Sequence, residues 1–240
     1  MFKRNEHEVV LSKIIYAIYA NKKLAPLLGF KGGTACYLFY KLPRFSVDLD
    51  FNLIDLKQKD FVFEELEKII KNFGTIKDKA EKRNTLFFLL SYRRDAQQIK
   101  TEVSLRNFAE DKYEIKNYLG LSIPTMTKDC LTAYKLVAIL GRKKPAMRDL
   151  FDAHFFLKND WPINEKIILA QTGKKKDQYF KKIIKFLEKN KKINILQGLG
   201  ELVDQKQKRW IKEELIKELI YLLKIYSKWK IILSPSLCLL

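Results

Sequence analysis

The chain has 240 residues, 47% of them hydrophobic, and its 47 Lys and Arg against 28 Asp and Glu give a net charge of +19. This is enough apolar material for one large domain or two small ones. No apolar run reaches the roughly 18 residues of a membrane span. The charged N-terminus lacks a signal-peptide apolar region. We therefore expect a cytoplasmic protein without membrane association, in which Cys36, Cys130 and Cys238 are reduced thiols because their spacing matches no zinc site.

The first part of the chain alternates helical and strand patterns, which predicts an α/β domain over residues 1–123. A helix comes first, then a glycine turn that opens a second helix, then several strands and a third helix. The polar Arg93-Arg94-Asp95 stretch is expected to join two β-rich runs as a hairpin. The expected helices are 5–23, 34–40 and 61–73, and the expected strands are 27–30, 47–53, 85–92, 98–105 and 113–121.

After Pro124 the pattern is helical throughout, which predicts an all-α domain over residues 124–240. Thr127 is a candidate cap for the first of these helices, and Pro145 fits the first turn of the second. The apolar tail 231–240 receives no assignment. The expected helices are 128–141, 145–157, 166–171, 177–188 and 209–230.

Positive charge is concentrated in the last third of the chain, where residues 171–240 hold 17 basic and 7 acidic residues, a net of +10. Such an excess favours a polyanionic partner, nucleic acid first. A lysine-rich proteome would give the same composition with lysines that only solvate the surface. The candidate nucleic-acid contacts are Lys143, Lys144, Lys174, Lys175, Lys176, Lys181, Lys182 and Lys185.

Two aspartates lie two residues apart on the strand expected over 47–53. Because side chains alternate along a strand, Asp48 and Asp50 project from one face while their apolar neighbours point into the core. Glu102, on the strand expected over 98–105, supplies a third carboxylate as a base or metal ligand. Magnesium takes few protein carboxylates plus phosphate oxygens, and two such ions can clamp the attacking and leaving oxygens of a displacement at phosphorus. The three carboxylates therefore predict a nucleotidyl transfer site.

A Gly32-Gly33-Thr34 turn precedes the aspartates and opens the second expected helix. Glycine lets backbone N–H groups approach a phosphate without interference from Cβ, and a helix N-terminus favours anions. Taken alone, the turn is ordinary and the aspartates describe an exposed strand face. Together, with 13 residues between Thr34 and Asp48, they favour a combined phosphate and metal site.

A second polar group lies in the helical half. Lys135 and Arg142 are seven residues apart, so they share a helix face and could reach a triphosphate. Asp149 and Asp152 lie near the start of the next helix, where carboxylates also stabilise an N-terminal turn. Arg148 can pair with Asp152 at i,i+4 for purely structural reasons. The residues alone leave both interpretations open.

These motifs, in this order, resemble those of the AbiEii/AbiGii toxin family, which includes the tRNA-modifying MenT-type toxins. The resemblance spans about residues 28 to 157. It implies an α+β fold: a polymerase-β-like nucleotidyltransferase core with a mixed sheet, then an all-α half, with the active site in the cleft between them. The matching strings are Gly32-Gly33-Thr34-Ala35, Arg44-x-Ser46-x-Asp48-Leu49-Asp50-Phe51, Lys100-x-Glu102, Lys135-Leu136-x-Ala138-x-x-x-Arg142 and Arg148-Asp149-Leu150-x-Asp152.

The resemblance implies a toxin of a bacterial toxin–antitoxin or abortive-infection system, with a cognate antitoxin as partner. The implied activity is magnesium-dependent transfer of a nucleoside monophosphate from an NTP to RNA, of the EC 2.7.7 type. The acceptor would be the 3′ end of tRNA, whose modification blocks translation, and two Mg²⁺ ions are expected.

The resemblance also assigns roles to individual residues. From the sequence itself, the lone His7 and His154 are interpreted as ligands in neither case. The implied catalytic residues are Asp48, Asp50, Lys135 and Asp149, with Glu102 and Asp152 as further candidates. The implied metal ligands are Asp48, Asp50 and Glu102, and the implied nucleotide contacts are Gly32, Gly33, Thr34, Ser46, Lys135, Arg142 and Arg148.

Two other functions share this chemistry or this fold. One is a nucleotidyltransferase for a small molecule, although a charge of +19 would repel a cationic acceptor. The other is a non-catalytic module that binds nucleotide or RNA, although the intact Asp48 and Asp50 argue against a decayed site.

Overall fold

The structure is a computed structural model that describes residues 3–94, 97–106, 108–142, 145–190 and 194–228. The chain forms two compact units, Met1–Thr127 (unit 1) and Lys128–Leu240 (unit 2). A few sequence predictions fall outside the described residues. They concern Asp95, Lys143, Lys144, Cys238 and the apolar tail 231–240.

Unit 1 is built on a mixed β-sheet. Its strands are β1 (Leu28–Lys31), β2 (Leu49–Leu53), β3 (Thr75–Lys82), β4 (Thr85–Ser91), β5 (Ile99–Ser104), β6 (Tyr113–Tyr118) and β7 (Leu121–Met126). Its helices are α1 (Arg4–Ala20), α2 (Gly32–Tyr40) and α3 (Lys59–Lys71), with 3-10 turns at Ala25–Leu27 and Leu56–Gln58. The strand order is β3-β4-β5-β2-β1-β7-β6. β1 pairs antiparallel with β2, whereas β2 pairs parallel with β5, and β1 with β7.

The three helices of unit 1 pack on one face of this sheet through aromatic contacts. The ring centroids are 6.3 Å apart for Tyr19 of α1 and Phe51 of β2, 6.2 Å for Phe39 of α2 and Phe30 of β1, and 4.9 Å for Phe63 of α3 and Phe88 of β4. Because side chains alternate along a strand, the residues next to these aromatic anchors project from the opposite face. The charged residues of β1, β2 and β5 therefore share the face that these helices leave uncovered.

The sequence patterns miss two of the strands. β3 forms one edge of the sheet and its side chains are mostly exposed, so it lacks the apolar alternation of a half-buried strand. β7 contains Pro124, which suggests a break because proline has no N–H to donate. In the structure Pro124 pairs with Ile115 of β6. The boundary expected after residue 123 therefore falls inside a strand, and the units divide after Thr127.

Unit 2 is helical throughout its described part. Its helices are α4 (Lys128–Gly141), α5 (Met147–Lys158), α6 (Glu165–Thr172), α7 (Lys176–Lys189), α8 (Gln205–Glu213) and α9 (Leu215–Lys228). The single helix expected over 209–230 is wrong, because the backbone leaves the helical region at Glu214 (φ −123°, ψ −29°). α8 also begins earlier than expected, since Asp204 and Gln207 form a capping box there. Pro145 precedes α5 rather than lying in its first turn.

Glu218 of α9 ties three helices of unit 2 together. Its carboxylate accepts hydrogen bonds from Nε1 of Trp210 (3.0 Å), Nζ of Lys158 (3.2 Å) and Nε2 of His154 (2.9 Å). Partial burial raises the pKa of Glu218, but these three donors outweigh it and lower the pKa to about 2. The network fixes α5 against α8 and α9. Within the described part of the chain, no helix combines the length and apolar character needed to cross a membrane.

Candidate active site

A row of charged side chains crosses three neighbouring strands on the uncovered face of the sheet. The strand register pairs Lys31 of β1 with Asp50 of β2, and Asp50 with Glu102 of β5. Residues directly opposite one another in a sheet project from the same face, with Cβ atoms about 5 Å apart. Asp48 comes just before β2 and, like Asp50, is half-buried. The register thus makes Asp50 and Glu102 neighbours on this face, with Asp48 two residues before Asp50.

The carboxylates of this row influence one another. Burial raises the pKa of Glu102, and the nearby charges of Asp50 and Asp48 raise it further. Lys100 and Lys82 act in the opposite direction but do not cancel the effect. The contributions of Asp50 and Asp48 reflect repulsion between carboxylates, which a bound cation would offset.

Gly32 lies against Asp50. Its φ of +78° is a left-handed conformation that favours glycine. A Cβ added at this position would lie 2.8 Å from Cβ and 2.9 Å from Cγ of Asp50, closer than real side chains pack. Position 32 must therefore be glycine for two independent reasons, the left-handed backbone and the lack of space for a Cβ. The absence of a side chain lets the turn lie close to the Asp50 carboxylate.

Gly33 lies against the loop that leads to the aspartates. A Cβ there would lie 2.7 Å from Oγ of Ser46 and 2.8 Å from a terminal nitrogen of Arg44. Both side chains are buried, and Nη1 of Arg44 donates to the carbonyl of Phe45 at 3.0 Å. The spacing from the two glycines to Arg44 and Ser46 thus reflects packing of the loop on the turn. Ser46, predicted as a nucleotide contact, packs against the turn of α2.

Thr34 links the turn directly to the first aspartate. Its buried hydroxyl donates a short hydrogen bond to the carbonyl oxygen of Asp48. The Thr34 side chain therefore positions Asp48. The backbone N–H of Thr34 belongs to the first turn of α2. The first N–H groups of a helix have no intrahelical acceptor, and Lys31, the N-cap residue, makes no side-chain capping bond.

His7 is a site residue that sequence reasoning missed. Its Nε2 lies 3.0 Å from the carbonyl of Val47, the residue before Asp48, and its Nδ1 lies 3.1 Å from the hydroxyl of Tyr92. A carbonyl only accepts, so Nε2 carries the proton, and in a neutral ring Nδ1 accepts from Tyr92. Burial lowers the pKa of His7, which favours this neutral form. His7 thus helps to fix the backbone immediately before Asp48.

Lys31 was missed as well. It lies beside Asp50 at the end of β1 and is half-buried. Burial lowers its pKa, while the charges of Asp50, Asp111 and Glu102 oppose that effect. The signal in the sequence was its position immediately before the Gly32-Gly33 turn.

The oxygen donors of unit 1 suit magnesium in their chemistry. Within the described ranges, no three His, Cys, Asp or Glu side chains are close enough to form a complete metal-binding group. Magnesium does not need such a group, because it commonly takes one or two carboxylates and completes its shell with phosphate and water. Asp48 and Asp50, together with the negative potential at Glu102, fit that smaller requirement.

The second predicted group is present in unit 2. Nζ of Lys135 lies 2.8 Å from Oδ1 of Asp149 and 2.9 Å from Oδ2 of Asp152, and both carboxylates are completely buried. Nε of Arg142 lies 3.2 Å from Oδ2 of Asp149, without hydrogen-bond geometry, so this oxygen has no hydrogen-bond donor among the described residues. Arg142 is exposed and Arg148 is half-buried. The structure therefore brings Lys135, Arg142, Asp149 and Asp152 together. The ammonium of Lys135 bridges the two buried carboxylates, and the exposed Arg142 lies beside Asp149.

Known structures share this fold. A protein from Helicobacter pylori assigned as a nucleotidyltransferase aligns with a TM-score of 0.60 at 21% identity, over 94% of this chain and 95% of its own. The H. pylori protein JHP933 aligns with a TM-score of 0.58 at 21% identity, over 95% of this chain and 94% of its own. No curated protein is detectably similar in sequence.

The sequence also matches a family model. The family is described as "Nucleotidyl transferase AbiEii toxin, Type IV TA system", and its model matches residues 13–225. The chain therefore belongs to the AbiEii nucleotidyl transferase toxin family, and the resemblance seen in its motifs is confirmed. The α+β fold with a helical C-terminal half is confirmed as well.

Proposed function

We propose that this protein transfers a nucleoside monophosphate from an NTP to RNA, with the 3′ acceptor end of tRNA as the acceptor, and thereby blocks translation as a toxin. The observation that carries the proposal is the packing of the Gly32-Gly33-Thr34 turn directly against Asp48 and Asp50, with Glu102 alongside. The N–H groups that would bind phosphate and the carboxylates that would bind metal are thereby held side by side. Membership of a nucleotidyl transferase family supports the same reaction.

Asp48 and Asp50 would hold magnesium, with Glu102 as a further ligand or as the base. Bound Mg²⁺, expected as two ions, supplies charge stabilisation for the oxygens that attack and leave the α-phosphorus. In the reaction the 3′ hydroxyl oxygen forms a bond to that phosphorus, the bond to the bridging oxygen breaks, and pyrophosphate leaves. Glu102 suits the role of proton acceptor, because a carboxylate with a raised pKa takes up a proton more readily than an ordinary one.

Lys135 would contact the phosphates of the nucleotide, with Arg142 and Arg148 as additional cationic contacts. The completely buried Asp149 and Asp152 suit the role of holding the Lys135 ammonium in one place. Membership of the family gives these residues their place in the proposal, since the packing of unit 2 alone defines only the cluster itself.

Lysines on α7 support RNA as the acceptor. The side chains of Lys181, Lys182 and Lys185 are exposed. The charge of Lys174 lowers the pKa of Lys182 by repulsion, and binding of a phosphate backbone would relieve that repulsion. Lys176, by contrast, pairs with Glu165 at 2.8 Å and is a poorer candidate.

A labelling experiment tests the proposal. The purified protein is incubated with Mg²⁺, each α-labelled NTP in turn and total tRNA, beside Asp50→Ala and the exposed control Asp78→Asn on β3. We expect label on tRNA with the wild type and with Asp78→Asn, and none with Asp50→Ala. Label on a small molecule but on no RNA would overturn the acceptor assignment. Salt-sensitive RNA binding by every form without any transfer would overturn the enzymatic function.

A growth experiment tests the biological role. Membership of a type IV toxin–antitoxin family implies a cognate antitoxin, and expression of the toxin alone should arrest growth. We expect Asp48→Ala to abolish the arrest. If Asp48→Ala arrests growth as strongly as the wild type, nucleotidyl transfer is not the toxic activity.

A further inference from the structure

Lys31 lies beside the proposed catalytic carboxylates but has no role in the reaction proposed above. It is the last residue of β1 and stands in register with Asp50, which itself pairs with Glu102. The lysine therefore ends the row of carboxylates on the side of the Gly32-Gly33 turn. An exposed strand position beside two carboxylates is an ordinary place for lysine, but Lys31 is half-buried, and burying an ammonium costs free energy unless a partner offsets it.

The partners of Lys31 are distributed around it. Burial lowers the pKa of Lys31, the nearby charges of Asp50, Asp111 and Glu102 oppose that effect, and the charge of Arg106 adds to it. Two of the three carboxylates belong to the row that would bind magnesium. When a cation takes the carboxylates of that row, Lys31 loses part of its compensation and needs another anion.

The same end of the row carries a second source of positive potential. Lys31 is the N-cap residue of α2, a helix of nine residues, and its side chain makes no capping bond. The first N–H groups of a helix have no acceptor within the helix, so those at the start of α2 add to the attraction for an anion. The Lys31 ammonium and the N-terminus of α2 both adjoin the carboxylates on the same side. An anion placed there would be bound at one end by these two positive groups and at the other by a metal ion on the carboxylates.

We propose that Lys31 binds the triphosphate of the nucleotide substrate, at the oxygens that leave as pyrophosphate, and neutralises their charge. This inference rests on the proposed nucleotidyl transfer function. It gives Lys31 a substrate contact, and the neighbouring turn contributes backbone N–H groups to the same anion.

A binding measurement with inorganic triphosphate tests this role, because that probe has no base or sugar. The variants are Lys31→Met, Lys31→Arg and the control Lys100→Met, an exposed lysine on β5 whose charge also acts on Glu102. Loss of one charge-assisted hydrogen bond weakens binding by roughly tenfold to a hundredfold. We expect a loss of that size in Lys31→Met, a smaller loss in Lys31→Arg and almost none in Lys100→Met. Equal affinities in Lys31→Met and Lys100→Met would overturn the assignment.

A second measurement uses the wild-type protein and does not depend on whether a variant folds. The amines are acetylated with and without triphosphate and Mg²⁺, and the rate at Lys31 is compared with that at Lys100 by mass spectrometry. We expect triphosphate to protect Lys31 but not Lys100, and equal rates at Lys31 with and without the probe would contradict the proposal. If the wild type transfers nucleotide but Lys31 is not protected, only this inference fails. If it neither binds triphosphate nor transfers nucleotide, the proposed function fails with it.

Discussion

Nζ of Lys135 lies 2.8 Å from Oδ1 of Asp149, a carboxylate with no solvent exposure. Asp152, one turn further along α5, approaches the same ammonium at 2.9 Å. Two buried negative charges thus share one lysine, and removing a partner from a buried pair leaves an uncompensated charge. The arrangement makes the position of Lys135 depend on both aspartates.

We expect Asp149→Asn to lower the free energy of unfolding by about 2 kcal/mol, because the partly buried Lys135 loses one of its two buried carboxylate partners. The matched control is Glu165→Gln, which removes a pair of the same length, 2.8 Å, whose acidic side chain is 45% exposed. An exposed pair contributes about 1 kcal/mol or less. Urea denaturation measures both changes, and equal losses would show that the buried pair contributes no more to stability than the exposed one.

The effect on activity should separate the two roles. If Asp149 positions Lys135 for the nucleotide, Asp149→Asn raises KM for the NTP and increases acetylation of Lys135, whereas Glu165→Gln changes neither. Unchanged acetylation of Lys135 in Asp149→Asn would mean that the aspartate does not hold the lysine.

Several parts of the site were predictable from local sequence. Asp48, Asp50 and the preceding glycines stand within one short stretch, and strand alternation places the aspartates without knowledge of the tertiary fold. The third carboxylate, Glu102, was predictable because an apolar strand pattern surrounds it. Its register with Asp50 was not, because nothing in either strand fixes how far they slide past each other.

The parts that sequence reasoning missed depend on distant contacts. His7 reaches across 40 residues to Val47 and across 85 to Tyr92, and a lone histidine gives no local sign of such partners. Strand β7 was hidden by Pro124, whose missing N–H suggested a break. In both cases the tertiary structure supplies the partner that the local pattern lacks.

We expect Gly32→Ala to be more damaging than Gly120→Ala. Both glycines have a positive φ, +78° and +81°, so alanine costs each about 1–2 kcal/mol of backbone strain. A Cβ at Gly32 also overlaps Asp50, whereas one at Gly120 meets nothing within 4 Å. Gly32→Ala should lose an additional 1–3 kcal/mol or so, together with transfer activity. Thermal denaturation of the two variants checks this, and equal losses would contradict the close packing of Gly32 on Asp50.

We expect the protein to lose stability as the pH falls from 7 to 5. Burial lowers the pKa values of His7 and His154 below the 6.5 of an unperturbed histidine, and for His154 the bond to Glu218 opposes this only in part. Between the lowered and the ordinary pKa the unfolded chain binds more protons. The free energy of unfolding therefore falls through that window, by at most about 1.4 kcal/mol per pH unit for each histidine.

The double variant His7→Gln/His154→Gln isolates this effect, because glutamine keeps an N–H donor but does not titrate. Its unfolding free energy should depend less on pH between 7 and 5 than that of the wild type. The contribution of Glu218, whose pKa is about 2, disappears only at lower pH. An unchanged slope in the double variant would mean that neither histidine titrates with folding.

Glu102→Gln should stabilise the protein and impair the reaction. Burial and the charges of Asp50 and Asp48 raise the pKa of Glu102, so the folded state binds more protons than the unfolded chain just above the ordinary pKa of 4.5. The stability of the wild type therefore declines as the pH rises through this window, and the penalty persists at pH 7. Glutamine carries no charge, so the variant avoids the penalty.

The advantage of Glu102→Gln should be present at pH 7, disappear below the ordinary pKa, and shrink when Mg²⁺ offsets the negative charge in the wild type. Urea denaturation at pH 7 and pH 4, with and without Mg²⁺, measures all three effects beside the exposed control Asp78→Asn, which should show none of them. A destabilised Glu102→Gln at pH 7 would mean that the glutamate accepts a stabilising contact there, and the role of proton acceptor would then lose its electrostatic support.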